Sequence, residues 1–233
     1  DRAFAIQDLA HLAVIDHGFD LDTSTGVPRT GGPDFLSSGK PLQVDVVGGD
    51  WTAGGSAEGA TCSGCTGCDP AVDDCPTCCW HGHNVFGICC ALPGNQFGTA
   101  GTGGGDVRPL LVRVSSDVYV TAAGVYAAIY NHAKVINLSR GLDCGFLCTT
   151  FSSGDALRSS VESAPNFGAI VVAAAGNEGV DIGDKPRWPC KLHDVICVSS
   201  IDKNGQPLDN YGSGVDLRAP GADLRSTVNP ISE

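Results

Sequence analysis

The chain contains no methionine among its 233 residues. Asp1 is therefore not a translation start, and the expectation is a processed form or a fragment. Basic residues are scarce: 14 Lys and Arg stand against 26 Asp and Glu, for a net charge of −12. An acidic surface argues against nucleic acid as the partner and fits a protein of an external medium. No apolar run approaches the roughly 20 residues that cross a bilayer, so no membrane partner is expected. Neither an internal repeat nor a second domain is evident, and residues 1–233 read as one domain.

Against those absences stand a 42% apolar and 17% charged composition, which is that of a globular chain. Gly (32) and Pro (13) are abundant and predict many tight turns and long ordered loops. Twelve cysteines are the strongest compositional signal. In a reducing cytosol they would be a liability or would bind metal; outside the cell they make six disulfides. The expectation is an exported, disulfide-bonded, extracellular protein.

Residues 12–16 (LAVID) form a short apolar run ending in a carboxylate, which suits a parallel strand buried on both faces. Residues 23–61 turn rich in Gly, Ser and Pro, and a cysteine cluster follows, so 23–80 reads as one cysteine-rich insertion. Residues 81–90 have helical spacing at Val85, Ile88 and Cys89, closed by Pro93-Gly94. A strand is expected at 110–114. Val118, Ala122, Val125 and Ile129 then form the stripe of an amphipathic helix. Further strands are expected at 135–138, 170–175, 195–198 and 215–217. Leu157, Val161 and Ala164 mark another helix, capped by Ser152 or Ser153. Strands alternating with helices predict an α/β fold of three layers, a mostly parallel sheet covered on both faces.

In such sheets reacting groups gather beyond the carboxyl ends of the strands. Asp16, Ser139-Arg140-Gly141 and Gly176-Asn177-Glu178-Gly179 occupy such places, and His81 opens a helix. A carboxylate and a histidine at one edge are the orienting acid and general base of a nucleophilic hydrolase. These segments resemble one family. Ala13-Val14-Ile15-Asp16-His17-Gly18 is similar to the aspartate motif of the subtilisin-like serine proteases. His81-Gly82-His83-Asn84-Val85-Phe86-Gly87 resembles their histidine motif, and Val135-Ile136-Asn137-Leu138-Ser139-Arg140-Gly141 their substrate-binding strand. Val171-Val172-Ala173-Ala174-Ala175-Gly176-Asn177-Glu178-Gly179 is close to identical with their oxyanion segment, and Leu217-Arg218-Ala219-Pro220-Gly221 resembles the turn before the nucleophile. Five motifs appear in the family's order of Asp, then His, then Ser.

The resemblance implies a serine endopeptidase. Asp16 would fix the tautomer of His81, His81 would relay the serine proton, and the Asn177 amide would stabilise the oxyanion. Ser139, Arg140 and Gly141 would pair with an extended polypeptide substrate, while Ala174, Ala175 and Gly176 are small enough to wall a side-chain pocket. Glu178 lies near that pocket, where it would either favour a basic residue at the cleavage site or simply sit in solvent. Arg140 replaces a commonly apolar residue and points to acidic or polar substrate residues. His83 is a rival base, but His81 is followed by Gly82 as in the family. No cofactor is required; Asp216, with carbonyls near residues 190–195, is a candidate ligand for structural calcium.

The departures are specific. The family's Gly-Thr-Ser motif should follow Ala219-Pro220-Gly221 by about 20 residues, roughly seven past Glu233. The expectation is a serine on a segment C-terminal to this chain, from the same precursor, with a propeptide also removed. The alternative is a catalytically inactive domain that binds peptides or a protein partner. His17 stands where the family often has Ser, Thr or Asp, and Asn84 replaces the second family histidine. The Asp16–His81 interval is about double the usual one and holds Cys62, Cys65, Cys68, Cys75, Cys78 and Cys79. That spacing is compatible with zinc or an iron–sulfur cluster, but disulfides are the preferred reading. Cys89, Cys90, Cys144, Cys148, Cys190 and Cys197 remain as partners, and sequence does not assign the pairing. The glycine run at 101–105 lacks the lysine and context of a phosphate loop.

Overall fold

The computed structural model describes residues 10–19, 42–49, 79–94, 99–141, 152–183 and 187–226. Seven strands make one sheet: β1 (Ala10–Asp16), β2 (Leu42–Asp45), β3 (Val107–Arg113), β4 (Ala133–Leu138), β5 (Ile170–Ala174), β6 (Val195–Ile201) and β7 (Leu217–Pro220). Their order is β2-β3-β1-β4-β5-β6-β7. Every neighbouring pair is parallel, as the alternation of apolar runs with helical stripes predicts. The helices are α1 (Cys79–Cys90), α2 (Val118–Tyr130) and α3 (Ser152–Ser163). Among the described residues no helix is long and apolar enough to cross a membrane.

Side chains alternate across a strand, so β1 feeds two cores. Ala13 and Ile15 join a large core with Leu110 and Val112 of β3, Val125 and Ile129 of α2, and Leu157 and Val161 of α3. Val14 joins a smaller core with Phe19, Leu111 and, from α1, Phe86 and Cys90. Each fully buried aliphatic or aromatic side chain there contributes roughly 1.5–3 kcal/mol. Asp16 continues the face of Val14, so the period of two alone turns its carboxylate towards α1. The sheet's two faces therefore divide labour: α2 and α3 cover one, and α1 presents His81 on the other.

Asp117 caps α2 by accepting from the Tyr119 and Val120 amides at 2.7 and 3.1 Å. The side chains of residues 152–153 lie outside the description, and with them the expected cap of α3. Three boundaries differ from expectation. α1 begins at Cys79, so His81 lies inside its first turn rather than at its first residue. The last strand spans Leu217–Pro220 rather than 215–217, paired from Val198↔Leu217 to Ile201↔Pro220. As the edge strand it tolerates Pro220, whose missing donor leaves no inner partner unpaired. Finally, Leu42–Asp45 pairs with β3 as the opposite edge strand. Within residues 23–80, expected as one cysteine-rich insertion, β2 thus belongs to the sheet. The cysteine cluster from Cys62 to Cys78, with Cys144 and Cys148, lies outside the described residues.

Two disulfides are present among the described residues. Cys190–Cys197 ties the loop before β6 to that strand, and Cys89 bonds its neighbour Cys90 within α1. The helix carrying His81 is therefore not braced from Cys89 or Cys90 to the cysteine cluster.

Candidate active site

Asp16 ends β1 on the α1 face, and its side chain is only 1% exposed. Its Oδ1 accepts from the His17 amide at 2.8 Å. Its Oδ2 lies 2.8 Å from Nδ1 of His81, whose side chain is 53% exposed. A buried acid holding one ring nitrogen of a solvent-reaching histidine fixes the tautomer and turns the other nitrogen outward. His83, the rival, is 0% exposed and makes no such pair with Asp16. The spacing requires Gly82: a Cβ there would sit 2.5 Å from the Gly18 carbonyl oxygen and 2.8 Å from Asp16 Cβ. Only glycine lets the first turn of α1 approach the end of β1 this closely.

Asn177 is exposed in the turn after β5. Gly176 before it has φ of 95°, and a Cβ would meet Asn210 Nδ2 and Glu178 Oε2, each at 2.7 Å. This turn is held by Asn210, itself 0% exposed. Its Oδ1 accepts from Val180 N at 3.0 Å, and its Nδ2 donates to the Ala175 carbonyl at 2.8 Å and to Glu178 Oε2 at 2.6 Å. Its amide donates to the Gly176 carbonyl at 3.1 Å. Sequence reasoning missed Asn210, because nothing local marks a partner about 30 residues from the turn it holds.

Glu178 is neither alone in solvent nor an open acid. Arg187 Nη2 lies 3.2 Å from its Oε1 while Asn210 takes Oε2. Ala174 lies half-buried on the face opposite the large core, whereas Ala175 turns its methyl into that core. Any wall Ala175 makes is consequently backbone. After β4, Ser139 Oγ accepts from Asn137 Nδ2 at 2.8 Å, and Gly141 is exposed. Arg140, expected to meet substrate, turns inward instead: Nη1 donates to the Ser115 carbonyl at 2.9 Å and Nη2 to His17 Nε2 at 2.8 Å. Burial first, then Arg140 and His81, push the His17 ring from its ordinary 6.5 to about 4, with Asp16 opposing.

Asp216 Oδ2 accepts from the Cys197 amide at 2.8 Å. No cluster of three His, Cys, Asp or Glu fit for a metal occurs among the described residues. Calcium asks for six to eight oxygens; a single carboxylate already engaged by an amide is a poor cage.

The profile of the subtilase family (Peptidase_S8) matches residues 11–233. Thermitase of Thermoactinomyces vulgaris is 38% identical over 154 residues, 63% of this chain and 51% of that protein. An extracellular protease of Xanthomonas campestris pv. campestris is 28% identical over 233 residues, 94% of this chain and 38% of that protein. An extracellular basic protease of Dichelobacter nodosus is 32% identical over 165 residues, 64% of this chain and 26% of that protein. The chain thus spans about a quarter to a half of the length of these relatives. Among solved structures, the epidermin leader peptide processing serine protease of Staphylococcus aureus superposes with a TM-score of 0.60 at 22% identity, over 92% of this chain and 54% of that one. A cold adapted subtilisin-like serine proteinase gives 0.58 at 21% identity, over 94% of this chain and 65% of that one. These likenesses carry the fold, and the profile match carries the family: this chain belongs to the subtilases.

Proposed function

We propose that the chain is most of the catalytic domain of a secreted serine endopeptidase, acting on polypeptide substrates without a cofactor. The observation that carries this reading is the buried Asp16 carboxylate 2.8 Å from His81 Nδ1. It lies at the carboxyl edge of a parallel sheet, where α/β folds do their chemistry. In the proposed mechanism Asp16 accepts from Nδ1–H of His81 and stabilises the imidazolium. His81 Nε2 takes the proton of a serine as its oxygen attacks the scissile carbonyl, then returns it to the leaving amine. The Asn177 amide donates to the oxyanion, a role whose loss costs about 10²–10³ in kcat. Backbone groups of residues 139–141 and the turn at 174–176 align an extended peptide.

The serine is proposed to lie C-terminal to this chain, on a segment of the same precursor. Ser226 Oγ donates to the Asn84 carbonyl of α1 at 2.5 Å, so the chain beyond β7 runs back to the helix that carries His81. Secretion is supported by the Cys190–Cys197 disulfide and by two relatives named extracellular. Removal of a propeptide belongs to the same reading.

Intact mass before and after a fluorophosphonate probe tests the proposal. The expected result is a second polypeptide, derived from the same precursor, that gains the probe's mass. In that material Asp16→Asn should lower kcat by about 10⁴. Absence of label and of peptide hydrolysis would leave an inactive peptide-binding domain.

A further inference from the structure

We infer that Arg140 and His17 form a strut that ties the proposed peptide-binding segment to the proposed catalytic acid, and that holds a fixed positive charge beside the Asp16–His81 pair. The roles assigned to Asp16 and His81 rest on the protease reading; the strut itself rests on the contacts.

Arg140 stands two residues beyond β4, between Ser139 and the exposed Gly141. Its Nη1 donates to the Ser115 carbonyl in the loop between β3 and α2, and its Nη2 donates to His17 Nε2. A guanidinium has no acceptor and keeps its charge. Nε2 of His17 must therefore offer a lone pair, which makes that ring neutral with its proton on Nδ1. The same residue donates its backbone N–H to Asp16 Oδ1, and Asp16 Oδ2 meets His81. Contacts thus run from the Ser115 loop through Arg140, His17 and Asp16 to His81, joining the ends of β1, β3 and β4 to α1. Both guanidinium ends are directed by partners, although Nε is buried without one.

Among the described residues, the charged and titratable groups facing the His17 ring are Arg140, Asp16 and His81. Asp16 in turn sustains the charge of Arg140 against its burial. The positive charge of Arg140 is thus fixed beside Asp16 by the Ser115 carbonyl and the His17 ring. It also follows that His17 works only while neutral: once protonated it cannot accept from Arg140, and two cations face each other.

The test is a ¹H–¹⁵N NMR titration of His17 in this chain as wild type, Arg140→Met and Arg140→Lys. In the wild type, His17 should carry its proton on Nδ1 and stay neutral to about 4. In Arg140→Met the His17 midpoint should rise towards the ordinary 6.5, because a cation that lowers it is gone. Arg140→Lys should hold that midpoint lower than Arg140→Met does, because the charge remains. A residue that merely supports the fold would leave it where it is. A His17 midpoint unchanged within error in folded Arg140→Met would overturn the inference. So would a wild-type His17 protonated on Nε2, which decides the matter even if Arg140→Met does not fold. With the nucleophilic segment present, a shifted His17 midpoint without any cleavage would refute the protease reading while upholding the strut.

Discussion

Replacing Asn210 by alanine removes the buried side chain that laces the Asn177 turn together. Its three side-chain hydrogen bonds, at 2.6, 2.8 and 3.0 Å, reach Glu178, Ala175 and Val180. The losses are unequal. Glu178 is 48% exposed, so water replaces the lost donor at little cost. The Ala175 carbonyl and Val180 amide lie closer to the core, and each costs about 1–1.5 kcal/mol when left unpaired. The space vacated by the amide adds about 1 kcal/mol. Asn210→Ala should therefore destabilise by about 3–4 kcal/mol, equivalent to roughly 10 °C in Tm for a domain of this size. Asn210→Asp sharpens the test. It keeps the acceptor for Val180 N but turns a carboxylate oxygen towards the Ala175 carbonyl and the Glu178 carboxylate. It should be less stable than the alanine variant at neutral pH, and the gap should narrow on acidification as the carboxylates protonate. Urea unfolding followed by fluorescence, with the buried Trp188 as reporter, measures both. A cost for alanine below about 1 kcal/mol would refute the claim that Asn210 holds the turn. So would equal stability of the two variants at neutral pH.

Three further outcomes follow from the same geometry. Gly82→Ala forces a Cβ against the Gly18 carbonyl and Asp16; it should cost about 1–3 kcal/mol of stability, visible as a lower urea midpoint, and an unchanged midpoint would mean α1 does not approach β1 so closely. His17 has a folded pKa of about 4 against an ordinary 6.5, so the unfolded chain takes up the proton first. Stability is then whole above about 6.5 and declines as pH falls towards 4, by about 1 kcal/mol after discounting for a partly exposed ring. His17→Gln, which keeps an acceptor for Arg140, should flatten that decline in urea midpoints taken across the range. Arg187→Gln takes the cation from Glu178; with the nucleophile present, kcat/KM for peptides with Lys or Arg at the cleavage position should rise several-fold relative to neutral ones, and an unchanged ratio would show that Glu178 does not face the substrate.

What the sequence disclosed depended on whether the signal was local. The strand ending in Asp16, the stripe of α2 and the Gly176-Asn177-Glu178-Gly179 turn each declare themselves within about ten residues through apolar periodicity or a tight turn. The Asp16–His81 pair was legible through the resemblance of its two motifs to those of the subtilisin-like proteases, more than through any property of the two residues alone. β2 was not, since Leu42–Asp45 is a four-residue edge strand in a Gly-rich stretch whose identity comes from pairing with β3. The inward turn of Arg140 and the pairing of Arg187 with Glu178 were hidden for a related reason. A long cationic side chain reads as a surface group until the fold shows which buried acceptor lies within its reach.

The place of β1 in the sheet also bears on how the molecule is made. The strand that ends in the proposed catalytic acid is the earliest of the seven in the chain, yet its partners on either side are Val107–Arg113 and Ala133–Leu138. During synthesis its apolar segment must wait, unpaired on both edges, until much later sequence has emerged. Parallel pairing over such separations is slow, because loops must close before any contact rewards them. The Asp16–His81 contact is therefore expected late: assembly of the site is tied to completion of the sheet's centre, and a chain arrested before β4 would carry an aggregation-prone strand with one edge unpaired.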